Sequence, residues 1–485
     1  MKKFLYLVLA AIVGCSAPPK DMPSERDMLA MFQKNAPAPI AFSTLAVETP
    51  LSEQTYTLRQ CSVTLRGHLA AAMTGDRWVV KVPQAGAEIL AYSGGPGGSG
   101  ATLDLPGSDS HGDEAAGYVP AHRRQVSLPR RVYAGESLIV WSGAENPGSR
   151  GDYVWQAGGR PSSTDQAMPV VFVSWTPTPD HLGPPALGGI GFWPVFFRGE
   201  GILKSQLRVD LLPRVIDPAD LQGVPLAYVE GLFSRFSGDC YGGWATDQWT
   251  PDHQHPGYGR DVASSTSLAM LWLCANIPNE QKRRLAEAVA QWGFDLLGAY
   301  SDSPPRHADV DGGHQCGRKA HVVVLGKLLG IEAISYISTF MGPNFQEDRA
   351  CHLLPNGAGW WWNPDWKVTH SYKDKVADLN GDCVTMPPSQ WSGPNASAGG
   401  TQKWAVQGYT NPWAGTQIGT ALAMKLMGLQ EAWSPLGYRY IQQWMTPVPQ
   451  AVLDQLSAAS VRMDFGKDMS IFLGAGVQEK CWRKY

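Results

Sequence analysis

The chain has 485 residues, of which 44% are hydrophobic and 17% are charged. This length favours two to four domains with a large core, and the composition excludes wholesale disorder and a long coiled coil. Lysine and arginine together number 40 against 43 for aspartate and glutamate, so no broad phosphate-binding surface is indicated and nucleic acid is not expected as a partner.

The N-terminus has the pattern of a secretory leader. Lys2 and Lys3 precede an apolar run over residues 4–13, which is too short to span a bilayer core of about 30 Å but fits a signal peptide. A transmembrane anchor is therefore not expected. Prolines and polar residues follow to about residue 46 and indicate a tether.

The end of the leader carries a resemblance. Residues 12–15 read Ile-Val-Gly-Cys and resemble the bacterial lipobox, in which Cys15 would be acylated and become the mature N-terminus. The resemblance implies a signal peptide over residues 1–14, a lipidated tether over residues 15–46 and, from Ser16, sorting to the outer membrane of the cell envelope. A plain secretory signal is the alternative.

Seven cysteines are left once Cys15 is assigned to lipid. An oxidising envelope compartment makes some disulfides plausible, although seven thiols cannot all pair. No CxxC pair indicates a zinc ribbon or a redox site, and the spacing does not give the connectivity.

Residues 47–235 have the pattern of a β-rich domain. Short runs rich in valine, threonine and aromatic residues alternate with glycine, proline, aspartate and serine, as an antiparallel β-sandwich requires. No helical period of useful length competes with them. Strands are predicted over residues 56–65, 78–82, 137–141, 170–175 and 206–211.

The apolar period changes from about residue 257. Apolar residues recur at helical spacing from Leu285 to Leu296, after the capping candidate Asn279. With the apolar-periodic residues 261–275 this helix predicts an αα-hairpin. Further helices are predicted over residues 317–329, 332–340, 413–427, 436–445 and 450–459.

A helical-hairpin domain is therefore predicted over residues 236–460. Within it, residues 342–409 form a long insertion rich in tryptophan, proline, glycine and asparagine. A loop of this length is normally functional or packed by its own aromatic residues. Residues 461–485 are left as a C-terminal segment.

The densest group of chemically useful residues lies within residues 307–321. Its glycines let the backbone approach a ligand, and the start of the following helix points amide donors at a bound anion. His314, Arg318 and Lys319 would place a proton-transfer group beside fixed positive charge.

An ordinary capping turn accounts for the same residues equally well. In that alternative Asp311 satisfies the donors of the helix start, Arg318 and Lys319 are solvated, and His321 is packed. The sequence leaves both interpretations open.

A second polar loop precedes the helix predicted over residues 261–275, and Tyr258 and Arg260 carry its useful chemistry. If both loops lie at the same end of neighbouring hairpins, a tyrosine, a histidine and several cations converge. Such a set can remove the proton α to a carboxylate once cations neutralise it, with His314 and Tyr258 as base and acid. In the alternative, Asp261 pairs with Arg260 or caps its helix.

Tryptophans are concentrated in the long insertion. Trp360, Trp361 and Trp362 are consecutive, and three successive residues cannot all face inward from one strand or helix, so at least one is expected at a surface or an interface. Flat aromatic faces suit the CH faces of pyranose rings, which makes these residues candidates for sugar binding. The alternative is an aromatic mini-core that holds the insertion together.

Metal-binding patterns are weak. Asp378, Asn380 and Asp382 match the first three ligand positions of a calcium loop, but Cys383 stands at the glycine position and Ser389 at the twelfth. No metal or other cofactor is therefore expected, and calcium at the first three of these residues is the alternative.

The order of these features resembles that of known proteins. The leader, the β-rich region, the Tyr-Gly-Arg-Asp segment at residues 258–261 and the glycine-rich basic segment at residues 312–319 resemble a group of uncharacterised secreted bacterial proteins. A β domain with helix hairpins distantly resembles glycan-degrading enzymes with an (α/α) toroid, including alginate and heparin lyases and several glycosidases. The chain departs from them in placing the β region first and in having too few helical residues for six hairpins.

This resemblance implies an α+β multidomain fold, with an antiparallel β-sandwich-like domain followed by an incomplete (α/α) toroid. The implied function is action on a polysaccharide by a lipid-anchored envelope protein, through β-elimination of a uronic acid chain. His314, Tyr258 and Arg260 are the expected catalytic residues, and Arg318 and Lys319 are expected to hold the substrate carboxylate.

Other functions remain open. A glycoside hydrolase would use two of Asp261, Asp309 and Asp311 as its carboxylate pair. A non-catalytic glycan-binding lipoprotein would bind through the tryptophans of the insertion, and an envelope scaffold would contact proteins through them. The oligomeric state is not indicated.

Overall fold

Strands are concentrated in the first part of the chain and helices in the second, which confirms the α+β class. The division into separate domains and the toroid remain predictions. The computed structural model describes residues 52–58, 61–93, 99–104, 128–142, 166–186, 201–234, 259–300, 316–336, 345, 347, 351–353, 360–362, 415–445 and 473–485.

Two sheets form the β region. One has the order β1-β2-β5-β7 and the other the order β3-β4-β9-β8-β6. The strands are β1 Ser52–Leu58, β2 Cys61–Gly67, β3 Ala70–Thr74, β4 Arg77–Lys81, β5 Ala87–Ser93, β6 Ser99–Asp104, β7 Arg130–Val132, β8 Ser137–Ser142 and β9 Gln166–Val173.

The five-stranded sheet is the middle layer of the molecule. Every residue of β9 from Met168 to Val173 is buried, because both faces of this strand are covered. Val170 and Phe172 belong to the apolar cluster shared with the four-stranded sheet, whereas Val171 belongs to the cluster shared with the helices. Alternate residues of one strand therefore serve two cores, which explains its continuous apolar run.

The middle sheet is mixed, so the expectation of a purely antiparallel β domain is wrong for one pair of strands. β4 and β9 pair in parallel, with Trp78 opposite Val170. Parallel strands need a long crossover connection, and the chain between residues 81 and 166 is long enough to supply one. The other strand pairs of both sheets are antiparallel.

The helices pack on the face of the middle sheet that is turned away from the first sheet. Their shared cluster contains Val79, Ile139 and Val171 from the sheet. The helices are α1 Leu226–Phe233, α2 Gly259–Leu273, α3 Asn279–Tyr300, α4 Lys319–Leu329, α5 Glu332–Ser335, α6 Ile418–Met427, α7 Gln430–Trp433, α8 Pro435–Trp444 and α9 Ala475–Lys484.

Helix α2 is the centre of the helical layer. It is buried around its whole circumference from Val262 onward and lies against α1, α3, α4, α6 and α9. The helix predicted after residue 278 is confirmed as α3, which follows a short connection and is a neighbour of α2. Asn279 is its first residue, however, and the Oδ1 of Asn279 makes no capping hydrogen bond. In the part of the chain that the structure describes, no helix has both the length and the apolar character that a membrane crossing needs.

Two of the predicted strands are wrong. Residues 56–65 belong to two strands, β1 and β2, which pair antiparallel with Leu58 opposite Cys61. Residues 206–211 take part in two short 3-10 helices, Lys204–Gln206 and Val209–Leu211. Leu207 and Val209 are buried and give the segment its alternating pattern. The segment does not pair with a strand, because the N–H of Arg208 donates to the carbonyl of Leu328 at the end of α4, at 2.6 Å.

A buried ion network joins the middle sheet to helix α3. The guanidinium of Arg77 donates to both carboxylate oxygens of Asp295, at 2.7 and 2.6 Å, to Asp76 at 2.7 and 3.0 Å, and to the carbonyl of Pro184 at 2.9 Å. Asp295 also accepts from the N–H of Ala186 at 2.8 Å. Burial disfavours the charge of Arg77, yet the two carboxylates raise its pKa above the ordinary value.

Candidate functional site

The starts of α2 and α4 lie side by side. Gly317 has a φ of +89°, and a Cβ added to it would lie 2.4 Å from the Cα of Ala263 in the first turns of α2. Both the backbone conformation and the close contact therefore require glycine here. The contact brings together the two chain segments whose polar loops the sequence singled out.

The basic residues at the start of α4 are buried. Arg318 is 3% exposed and Lys319 is 2% exposed, so the interpretation in which both are solvated is wrong. Segments from distant parts of the sequence cover this turn, which a local sequence pattern does not reveal. Charges held in such a low-dielectric position act more strongly on a neighbouring anion than solvated charges do.

His321 is a packed core residue, as one of the two interpretations of this segment expected. Its side chain is fully buried, and Nε2 lies 3.0 Å from the hydroxyl of Thr266 on α2. Its ring centroid lies 5.2 Å from that of Trp292 and 5.1 Å from that of Phe233. The histidine thereby ties α4 to α1, α2 and α3.

Glu347 is a residue of this site that the sequence did not single out. Its side chain is fully buried, and Oε1 accepts a hydrogen bond from the N–H of Gly317 at 2.8 Å. Its main-chain carbonyl accepts from the hydroxyl of Ser434 at 2.7 Å. No sequence signal marks it, since a glutamate in the polar stretch Gln346–Asp348 is ordinarily expected at the surface.

Ser434 connects this glutamate to a further helix. Its hydroxyl also accepts from the N–H of Gly437 at 2.9 Å, which caps the start of α8. The same oxygen therefore serves the helix start and Glu347 together. Helix α8 in turn lies against the tryptophan strand described next.

The three consecutive tryptophans form a short strand. Strand β11 spans Trp360–Trp362 and pairs antiparallel with β10, Cys351–Leu353. Both strands lie against α8. Successive positions of a strand belong to opposite faces, and the exposure of the three tryptophan side chains stays a prediction.

Serines on α2 organise the start of α6. Ser267 donates to the carbonyl of Thr416 at 2.7 Å and accepts from the N–H of Thr420 at 3.0 Å. The side-chain oxygen of Gln478 accepts from the N–H of Gly419 at 3.1 Å. Ser267 therefore satisfies backbone groups at the start of α6 and has a structural role.

A buried lysine hydrogen-bonds to the C-terminal end of α2. Lys282 donates to the carbonyls of Pro213 at 2.8 Å and Leu273 at 2.9 Å. Burial lowers the pKa of the Lys282 ammonium to about 8 and raises the pKa of the nearby Cys274 thiol to about 12. These groups lie roughly 20 Å along the helix from the start of α2 and are not part of the same site.

A groove of about 630 Å³ lies between residues 219–224 and the start of α9. Asp220 and Lys480 line it and form an ion pair at 3.0 Å. Gly474, at its floor, lies so close to Leu268 that an added Cβ would meet that side chain at 2.6 Å. The groove is lined by other residues than those predicted from the sequence.

Several predicted site residues lie outside the described residues. Arg260 and Asp261 belong to the first turn of α2, where their backbone is described. The predicted residues outside the described part are Cys15, Tyr258, Asp309, Asp311, His314, Asp378, Asn380 and Asp382. Within the described ranges, no three His, Cys, Asp or Glu side chains come together as a metal site.

A set of contacts links the starts of α2 and α4 with Glu347 and, through Ser434 and α8, with the tryptophan strand. We refer to this set as the α2–α4 site, and it comprises Arg260, Gly317, Arg318, Lys319, Glu347 and Trp360–Trp362. Comparison of the chain with protein-family models, with curated proteins and with solved structures finds no match.

Proposed function

We propose that the protein is a lipid-anchored bacterial cell-envelope protein that acts on an acidic polysaccharide, by β-elimination at a uronic acid. The packing of Gly317 on Ala263 carries this proposal. Arg260 lies in the first turn of α2, and Arg318 and Lys319 lie at the start of α4. Three basic residues therefore belong to one end of a helix pair.

This end of the helix pair has the charge that the reaction needs. Removal of the proton α to a carboxylate generates an enediolate, and fixed positive charge lowers the free energy of that anion. The positive ends of two helix dipoles add to it. Arg318 and Lys319 are almost fully buried, so their charges act through a medium of low dielectric constant.

The proposed base and acid are restricted to the same end by the chain itself. Tyr258 directly precedes α2, and His314 lies three residues before Gly317, a distance of about 11 Å at most. His314 would remove the proton α to the carboxylate, and the electron pair would form the new double bond as the glycosidic C–O bond breaks. Tyr258 would protonate the departing oxygen.

The tryptophan strand supports a carbohydrate ligand and also favours the second candidate function, non-catalytic glycan binding. Trp360–Trp362 lie against α8, whose capping Ser434 holds Glu347. In this proposal the tryptophan rings stack on sugar rings while the cations of the basic turn bind their carboxylates.

A polysaccharide panel tests the proposal. The mature protein without lipid is incubated with uronate-containing and neutral polysaccharides, and both the absorbance of unsaturated uronate and the release of reducing ends are followed. New absorbance that is lost in His314→Ala and kept in the surface variant His68→Ala is expected.

Each other outcome has a definite meaning. Reducing ends without absorbance would replace elimination by hydrolysis through Asp261, Asp309 or Asp311. Silence in both assays with binding to one glycan would establish the binding protein, and the absence of any binding would overturn the polysaccharide proposal. Mass spectrometry that finds an unmodified Cys15 would overturn the lipid anchor.

A further inference from the structure

Glu347 is a charged side chain in a place where charge is costly. It is fully buried, and its oxygen Oε1 lies 2.8 Å from the N–H of Gly317. Burying a carboxylate disfavours folding unless strong hydrogen bonds offset the lost hydration. The hydrogen bond from Gly317 offsets part of this cost and also fixes the position of the backbone that donates it.

The bond fixes the turn that leads into α4. Gly317 is held from one side by Glu347 and from the other by its contact with Ala263. Arg318 and Lys319 follow directly, so their distance from the start of α2 depends on where Gly317 is held.

The main chain of Glu347 is held independently of its side chain. The hydroxyl of Ser434 donates to its carbonyl at 2.7 Å and caps α8, against which the tryptophan strand lies. A single residue thus connects the tryptophan strand, through α8, with the basic turn.

We propose that Glu347 is a positioning residue that holds the turn of Gly317, Arg318 and Lys319 at a fixed distance from the start of α2. This role rests on the proposed function, in which the positive charge of that turn acts on the substrate carboxylate. The carboxylate acts as a hydrogen-bond acceptor for the backbone of the turn, and Glu347 does not touch the reacting atoms.

Three substitutions distinguish the effects of the hydrogen-bond acceptor, of its negative charge and of the length of the side chain. Glu347→Gln keeps an oxygen that accepts from Gly317, Glu347→Asp keeps the charge on a shorter side chain, and Glu347→Ala removes the acceptor. Hydrogen exchange of the peptide that contains Gly317 reports on the turn, and kcat and KM for the polysaccharide report on the reaction. Glu332→Ala, at an exposed position of α5, is the matched control.

Glu347→Ala is expected to speed exchange of the turn about tenfold or more and to lower kcat by a similar factor, with little change in KM. Glu347→Gln is expected to restore both, because the acceptor is back. Glu347→Asp should resemble the alanine variant, since its oxygen falls short of Gly317. Circular dichroism establishes whether each variant is folded. If Glu347→Ala does not fold, the exchange rates and kcat values of Glu347→Gln and Glu347→Asp are compared with each other and decide the question.

Unchanged exchange of the turn in folded Glu347→Ala and Glu347→Asp would overturn the proposal. A glutamine variant with slow exchange but a kcat as low as that of alanine would also overturn it, because the charge itself would then be needed. If no polysaccharide is turned over, the proposed function fails, and the exchange measurement alone still decides whether Glu347 holds the turn.

Discussion

The Nη2 atom of Arg77 on β4 lies 2.6 Å from Oδ2 of Asp295 on α3, although the two residues are 218 positions apart in the sequence. Both side chains are buried. This pair, together with Asp76, is a buried polar connection between the middle sheet and α3. Asp76, Asp295 and the carbonyl of Pro184 accept from all five N–H donors of the guanidinium.

Removing the cation of this network should be strongly destabilising. Arg77→Met leaves Asp76 and Asp295 buried without it, and the free energy of unfolding is expected to fall by about 3–5 kcal/mol. Urea denaturation followed by circular dichroism measures the change. Arg66→Met removes an exposed pair with Glu53 and should cost far less than Arg77→Met, so equal effects would contradict the importance of burial.

Gly317 should tolerate no side chain. Gly317→Ala places a Cβ against the backbone of Ala263 and keeps a positive φ, so the loss of stability is expected to exceed about 1 kcal/mol and activity should fall with it. Gly231→Ala, in α1 with open space around it, should instead be neutral or stabilising by up to about 1 kcal/mol. Thermal denaturation of the two variants makes the comparison, and a well-tolerated Gly317→Ala would contradict the contact.

The C-terminal residues should make stability depend on acid. Hydrogen bonds from Lys484 and Tyr485 hold the pKa of the Asp220 carboxyl well below its usual range. The folded state therefore gains stability from this carboxylate above its unfolded pKa of about 4, and loses that gain as the pH falls below it.

Asp220→Asn should accordingly be less stable than the parent protein at about pH 7, with a difference that shrinks as the pH is lowered toward about 3. Denaturant titrations across this range provide the measurement. Asp180→Asn, at an exposed position, should change the stability by less than about 0.5 kcal/mol at every pH. A difference for Asp220→Asn that grows in acid would have the wrong sign.

Two buried thiols should be unreactive in the folded protein. Burial raises the pKa of Cys274 to about 12 and that of Cys481 to about 11, so at about pH 8 at most about one molecule in a thousand carries the thiolate at either site. Iodoacetamide labelling with peptide mass spectrometry should find both cysteines unmodified under native conditions and modified in denaturant. Native labelling of either would contradict its buried position.

Apolar runs bounded by turn residues identify most of the middle sheet. Strands β4, β8 and β9 are predicted correctly because both of their faces are covered. Their sequences are therefore nearly continuous runs of valine and other apolar residues, which favour a strand. Strand β3 is missed, since three alanines carry little strand preference and its pairing with β4 supplies the order. The error at residues 206–211 has a related cause. The alternating burial there comes from the covering helices, and among the described residues no strand pairs with this segment.

The candidate site is predicted only in part. The sequence places Arg318 and Lys319 beside Gly317 at the start of a predicted helix, and in the structure Lys319 is the first residue of α4. Their burial depends on contacts that no local pattern encodes, because Glu347 lies 30 residues from Gly317 and Ser434 lies 87 residues from Glu347. The packing of His321 follows the same rule, since its aromatic neighbours come from α1 and α3.

The double coverage of the middle sheet has a consequence for the order of folding. A chain that ended at residue 235 would present the helix-facing valines of that sheet to water and would hold Arg77 without Asp295. The parallel pairing of β4 with β9 also closes a long loop before it gains any contact, which makes it a late event. The strands are therefore expected to reach their final packing only after α3 has been synthesised, so that the β region matures together with the helices and not ahead of them.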